Sequence, residues 1–338
     1  MNRLDRSKYL LLFILLVGLY AVYVNYKVYN SYVVQTGVTQ NFNTKKFDKE
    51  NYFKLQNIDI TFPNLSVTSF PMSAFLAYFH FVNNQPIKAL KLMDSIPSAN
   101  PYLYAYESMK AEIFNSLGTR DSALYYAKLA HEGLPLNVRH FQQYIQELAY
   151  IEDSKTITEV FKKRNEYRDF QFYKFYLAYI MKFKSQEDSE YIDSIAKLAI
   201  QRFPNNDEIK AIASFVLYGQ ENVEKSYALS KEGEKFFNTN DFEYALQAFK
   251  KASELNPGDY TFIESTGMTY IKLNQFENAI PYFEKVIDSF KIKDGKSEYG
   301  LAISLKETGD LKTACEWLSK SIDRGFQPAY KLFSTTCK

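Results

Sequence analysis

Residues 233–257, GEKFFNTNDFEYALQAFKKASELNP, place small side chains at Gly233, Ala245 and Ala252, large ones at Phe236 and Phe249, and a proline at the end. Thirty-four residues on, the same offsets hold Gly267, Tyr270, Ala279, Phe283 and Val286, and the loop pair Asn240-Asp241 becomes Asn274-Gln275. A third copy, one residue longer, has Gly309-Asp310 as its loop, followed by Ala314 and Leu318. A period of this length constrains the fold strongly. One copy is too short to bury its own apolar face, so successive copies must stack. Gly233 and Ala245 are expected where two helices of a pair cross, since larger side chains would force them apart. Phe236 and Phe249 then fill the space on either side, Ala252 lets the next pair approach, and Pro257 stops the second helix.

This pattern resembles the tetratricopeptide repeat (TPR), a helix–turn–helix unit of about 34 residues. Weaker copies lie upstream: Ala77, Asn84-Gln85, Ala89 and Pro101, then Ala111, Phe114, Gly118, Ala123, Ala130 and Pro135. Ile145, Leu148, Ile157 and Phe161 mark a more degenerate copy, as do Ile180, Ala196, Ala199 and Pro204. The segment DEIKAIASFVLYG, 207–219, has no partner of its own, and 205–225 reads as an irregular joint. The expected fold is therefore all-α, a TPR-like α-solenoid of helical hairpins. A divergent array is expected over 66–220 and a regular array with a capping helix over 221–338. Residues 35–65 show no helical period and read as a linker or stalk, in which LQNIDITF alternates as a short strand would.

From Tyr9 to Val24 no residue is charged and only Gly18 interrupts the bulky apolar run. With Asn25 to Val34 extending it, residues 1–34 read as one transmembrane helix, a signal anchor with Tyr26, Tyr29 and Tyr32 at the headgroups. A cleaved signal and a buried core helix share part of this pattern. The run ends Tyr20-Ala21-Val22-Tyr23-Val24, however, without the small-residue site that cleavage needs. Arg3, Arg6 and Lys8 precede the span, against Lys27 alone just after it, so the N-terminus is expected in the cytoplasm and the body in the periplasm.

Chemistry is sparse. Lys+Arg number 41 and Asp+Glu 39, a net charge of +2 that gives no case for nucleic acid. His80, His131 and His140 are the only histidines, and none stands at metal-ligand spacing from another or from a cysteine. No nucleophile elbow, phosphate loop, dinucleotide fingerprint or zinc-protease motif occurs, so neither catalysis nor a cofactor is expected.

TPR arrays bind partners along the groove lined by their first helices. The resemblance places Tyr227, Ser230, Glu234, Phe237 and Asn238, then Thr261, Glu264, Met268, Ile271 and Lys272, along that groove. Lys272 is the only lysine in this set and Asn238 the only asparagine, which argues against the two-carboxylate clamp that holds chaperone tails. Tyr227, Phe237, Met268 and Ile271 suit an apolar helix or an extended peptide, and the competing occupant is the chain's own helix 207–218. A second candidate surface is the basic–aromatic run 161–184, where Lys162, Lys163, Arg164 and Lys174 either meet an anionic glycan or lipid or simply form a solvated helix face.

Cys315 and Cys337 lie at equal distances from residue 326, in the turn Arg324-Gly325-Phe326. An antiparallel hairpin about that turn puts them at one height, and in an oxidising compartment a disulfide follows. The ending ACEWLSKSIDRGFQPAYKLFSTTCK and the stretch DSALYYAKLAHEGLPLNVRHF resemble envelope TPR proteins of Bacteroidetes-like bacteria. The expected role is a membrane-anchored scaffold binding protein partners of an envelope assembly. An accessory subunit of glycan polymerisation or ligation and a cytoplasm-facing adaptor are the alternatives.

Overall fold

The N-terminal helix does not stop at the end of its apolar run. In the computed structural model, which describes residues 3–163, 169–184, 188–290 and 292–337, α1 continues unbroken over Arg3–Thr44. Its apolar part is bare, with Tyr9 64% and Tyr20 68% exposed. Further along, Ser31, Val34, Gln35 and Val38 are buried, at the i, i+3, i+4, i+7 spacing of a single helix face. The helix thus changes from lipophilic all round to amphipathic without a break.

The described residues form two compact units, Met1–Glu152 and Asp153–Lys338, a division earlier in the chain than the 205–225 joint. In the first unit α2 (Lys49–Gln56) begins at Asp48, whose side chain accepts from the Glu50 amide. It lies close on α1 because residue 37 is glycine: a Cβ there would meet the Asn51 side chain at 2.5 Å. Asn51 in turn donates to Asn41 Oδ1 at 2.8 Å. Tyr52 and Leu55 of α2 and Val34 and Val38 of α1 share a core with α3 (Met72–Val82), α4 (Pro86–Ser95) and α5 (Ala105–Ser116). Residues 35–65 are therefore no stalk. The LQNIDITF run is divided between α2 and turns, and the described residues contain only an isolated bridge, Leu65 to Pro71, and no strand. The helical period was hidden because two of its buried positions are polar. Gln35 donates to Ser31 Oγ at 3.0 Å, which makes their burial tolerable.

Helices α3 with α4, and α5 with α6 (Arg120–Gly133), form the hairpins expected from the alanines: Ala77, Ala89, Ala111 and Ala123 are all buried. Helix α7 (Val138–Tyr150) follows. The second unit holds α8 (Ser154–Lys162), α9 (Phe170–Ile180), α10 (Ser189–Arg202) and α11 (Asp207–Tyr218). The regular array comes next: α12 (Gln220–Asn238) with α13 (Phe242–Leu255), α14 (Tyr260–Lys272) with α15 (Phe276–Ser289), α16 (Lys296–Glu307) with α17 (Leu311–Asp323), then α18 (Gln327–Thr336). Each unit is a stack of hairpins, as a TPR-like solenoid requires.

The repeat's small residues are seats for aromatic rings. A Cβ on Gly233 would meet Phe249 at 2.9 Å, and one on Gly267 would meet Phe283 at 2.9 Å. Gly300 on α16 lies still closer to the Phe283 ring, which is thereby wedged between two glycines of successive first helices. The hairpin turns share a second device. Asn84, Gly118, Asn240, Asn274 and Gly309 all adopt positive φ, at 60°, 75°, 64°, 55° and 95°. The left-handed region favours Gly and Asn, which is why those residues mark the loops in sequence.

Candidate functional site: the first-helix groove of the regular array

Helices α12, α14 and α16 are first helices of consecutive hairpins, so their inner faces lie side by side. Glu234, Phe237 and Asn238 from α12, Ser265 and Met268 from α14, and Lys296 from α16 line one cavity of about 330 Å³, with Phe249 of α13 beneath. That size is at the low end of the range for small-molecule sites, and it suits a few side chains of a bound segment. The floor is apolar: Phe237 meets Phe242 edge to face at 5.4 Å, and Phe249 lies buried beside them. Glu234 and Lys296 give the rim one charge of each sign. Met268 adds an adaptable thioether, the kind of surface that accepts more than one side-chain shape.

Glu234, Phe237, Asn238 and Met268 are thus brought together, while the other residues read from the sequence stand elsewhere. Glu264 is buried, not groove-facing: it accepts from Lys296 Nζ at 2.5 Å and from Ser297 Oγ at 2.7 Å, tying α14 to α16. Tyr227 is 40% exposed and directs its hydroxyl to Asp259 Oδ2 at 3.3 Å. Burial, with the Asp259 charge beside it, pushes that phenol well above its usual range. Ser230 is buried, and Ile271 packs into the core around Phe283. Thr261 serves the start of α14, its amide and hydroxyl donating to Asp259 Oδ1 at 3.1 and 2.7 Å. Lys272 is exposed in the last turn of α14. The lining residues missed from sequence, Phe249, Ser265 and Lys296, come from a second helix, a polar position and the third repeat. The register of Met268 alone could have found Ser265, one turn earlier on the same face.

Helix α11 does not supply the lining. It packs on α9, α10 and α12 through Ile209, Ala213 and Val216, and its Lys210 ammonium lies 5.5 Å from the Tyr260 ring, at the far end of α14 from Met268. Among the described residues the cavity is therefore not filled from within the chain.

The basic run is partly used up inside the fold. Lys174 pairs with Glu208, and the Lys162 ammonium stands 4.2 Å over the Tyr191 ring. Lys163 is exposed just past α8, and Arg164 lies outside the described residues. All three histidines are buried. His80 shares a 2.6 Å hydrogen bond with the Tyr52 hydroxyl, and burial holds His80 and His140 neutral down to about 4. No group of side chains able to hold a metal ion occurs among the described residues. Cys315 of α17 and Cys337 beyond α18 are joined in the structure, their Cα atoms 5.7 Å apart. The bond clamps α18, whose Ala329 is buried against Ala302 and Leu318.

Residues 266–290 match the family model described as Tetratricopeptide repeat, so the chain contains this repeat where its period is clearest. No curated protein matches the sequence. Among solved structures, a tetratricopeptide repeat protein from Parabacteroides merdae is similar at 12% identity, covering 78% of this chain and 96% of that one, TM-score 0.35. The TPR2AB domain of yeast Sti1, solved as a pHSP90 complex, is similar at 15% identity over 71% of this chain and 100% of that one, TM-score 0.33. Naa15/Naa10 bound to HypK-THB is similar at 12% identity over 89% of this chain, TM-score 0.38, and the chain spans only 48% of its length.

Proposed function

We propose that this tetratricopeptide-repeat chain is a membrane-anchored, non-enzymatic scaffold that holds an apolar helix or extended peptide of a protein partner in the α12–α14–α16 groove. The observation that carries the reading is the cavity at Phe237 and Met268, an apolar recess with a polar rim on a repeat face. Burying two or three apolar side chains there, at about 1.5–3 kcal/mol each before the costs of association, supports a specific but reversible complex. The partner belongs to an envelope assembly, and the body lies in the periplasm. Arg3, Arg6 and Lys8 on the N-terminal side of the apolar run, against Lys27 beyond it, support that orientation.

Affinity purification of the full chain in mild detergent, compared with a Phe237→Glu/Met268→Glu variant, tests the groove. The same envelope proteins should copurify with the wild-type chain and be lost from the variant. Retention of all of them by the variant excludes this groove. Protease treatment of spheroplasts tests the side: a periplasmic body is digested in intact spheroplasts. A body that survives until permeabilisation is cytoplasmic, and the adaptor alternative then replaces this one.

A further inference from the structure

The apolar run of α1 leads directly into packed protein. Residues 9–26 carry no charge, and at about 1.5 Å per residue they span about 27 Å, close to the hydrocarbon thickness of a bilayer. The next residue, Lys27, donates to Asp59 Oδ2 at 2.7 Å. Asp59 belongs to the turn segment 57–63 that follows α2, and it also accepts from the Thr61 amide at 2.9 Å. The ion pair fixes the height of this segment at the point where α1 leaves the apolar stretch. Higher up, the Val67 amide donates to Gln35 Oε1 at 3.1 Å. Lys27 and Gln35 are eight residues apart, about 12 Å along the helix. The segment therefore starts low on α1, at Asp59, and climbs to Val67.

Beyond Asp59 the chain exposes a large aromatic side chain, Phe62, 46% exposed although Ile58 and Ile60 beside it turn into the core. Phe62 is three residues beyond Asp59 and five before Val67, so along this climb it stands nearer the Lys27 level than the Gln35 level. The headgroup layer on each face of a bilayer is several ångströms deep, and aromatic rings favour it. On α1 itself Tyr26, Tyr29 and Tyr32 are exposed over about 9 Å of helix that starts at the Lys27 level. An unbroken helix above and below this level leaves no hinge that would lift the segment away.

We propose that the 57–63 segment rests on the bilayer through which α1 passes, with the Phe62 ring in the headgroup layer, so that the first unit is seated on the membrane rather than suspended from it. This rests on the reading of α1 as an anchor, and the experiment separates the two. The full chain carrying Trp317→Phe receives a single tryptophan, as Tyr23→Trp, Phe62→Trp or Val67→Trp, and is reconstituted in phosphatidylcholine/phosphatidylglycerol vesicles with or without acyl-brominated lipid. Bromine should quench the tryptophan at position 23 most, that at 62 clearly and that at 67 least, each compared with plain vesicles. No loss of emission at 62 while 23 is quenched overturns the seating and leaves the anchor intact. Equal quenching at 62 and 67 overturns the assigned height. No quenching at 23 removes the anchor and the seating with it.

Discussion

Replacing Gly300 with alanine should destabilise the regular array, although alanine is the better helix former by about 1 kcal/mol. The reason is the Phe283 ring. It is fully buried, and it contacts the faces of Gly267 and Gly300 so closely that a Cβ at either position would overlap it. A ring held on two sides cannot move off the new methyl group. Overpacking of this kind costs about 1–3 kcal/mol, which less the gain in propensity leaves a net loss of up to about 2 kcal/mol. Phe283→Leu alone should cost about 1–2 kcal/mol, because it empties part of the seat. In the Phe283→Leu background the Gly300→Ala methyl has room, so there it should cost nothing or stabilise by up to about 1 kcal/mol. The coupling in the double-mutant cycle is then about 1–3 kcal/mol, well above the scatter of independent sites. Trp317 packs against the same cluster as Phe283 and is the only tryptophan in the chain. Urea unfolding of the detergent-solubilised protein, followed by its fluorescence, therefore reads this region directly. Additive losses within about 0.5 kcal/mol would refute the ring-seat account of the repeat's glycines.

Acid should weaken the first unit through its histidines. His80 and His140 titrate near 4 in the fold because burial disfavours the imidazolium, against about 6.5 when unfolded. Their contribution is complete above pH 6.5 and is lost as pH falls from there towards 4, by up to about 3 kcal/mol each. Hydrogen exchange in α3 and α7 at pH 7 and pH 5, compared with the His140→Asn variant, should show a smaller acid effect in the variant, and an equal effect would contradict the assignment. For the cap, Cys315→Ser/Cys337→Ser should lower stability by about 3 kcal/mol in the chain-entropy model if the bond forms in the cell, with α18 exchanging first. Thiol labelling under denaturing, alkylating conditions checks the premise, and two free thiols in intact protein would count against either the oxidising location or the clamp's role.

The regular array was legible in sequence because its period is written in residue size. Gly233, Ala245, Gly267 and Ala279 have few substitutes where helices cross, and Asn240 and Asn274 hold turns that disfavour most side chains. Gly300 escaped because it does not occupy the repeat's own glycine position: counted back from the loop that position is Ala302, and Gly300 falls where Lys231 and Ser265 stand in the two earlier copies. The continuation of α1 escaped for another reason. Ser31 and Gln35 break the apolar stripe, and only their mutual hydrogen bond shows why they are tolerated inside. The groove was half legible. Register identified Phe237 and Met268, but register cannot tell a lining carboxylate from one claimed by a neighbouring helix. Glu264 is that case, since Lys296 and Ser297 hold it from a repeat further on. Partner chemistry leaves a still weaker trace, because an apolar recess specifies a shape and not a sequence.

The groove's occupation is tested most directly by photocrosslinking in living cells. A photoreactive amino acid is placed at Phe237 or Met268 inside the cavity, and at Tyr244, 62% exposed on the second helix of the same hairpin, as the outer-face control. The account predicts one or a few discrete crosslinked protein bands from positions 237 and 268 and none of those bands from 244. The same bands from all three positions, or bands from 244 alone, would contradict it.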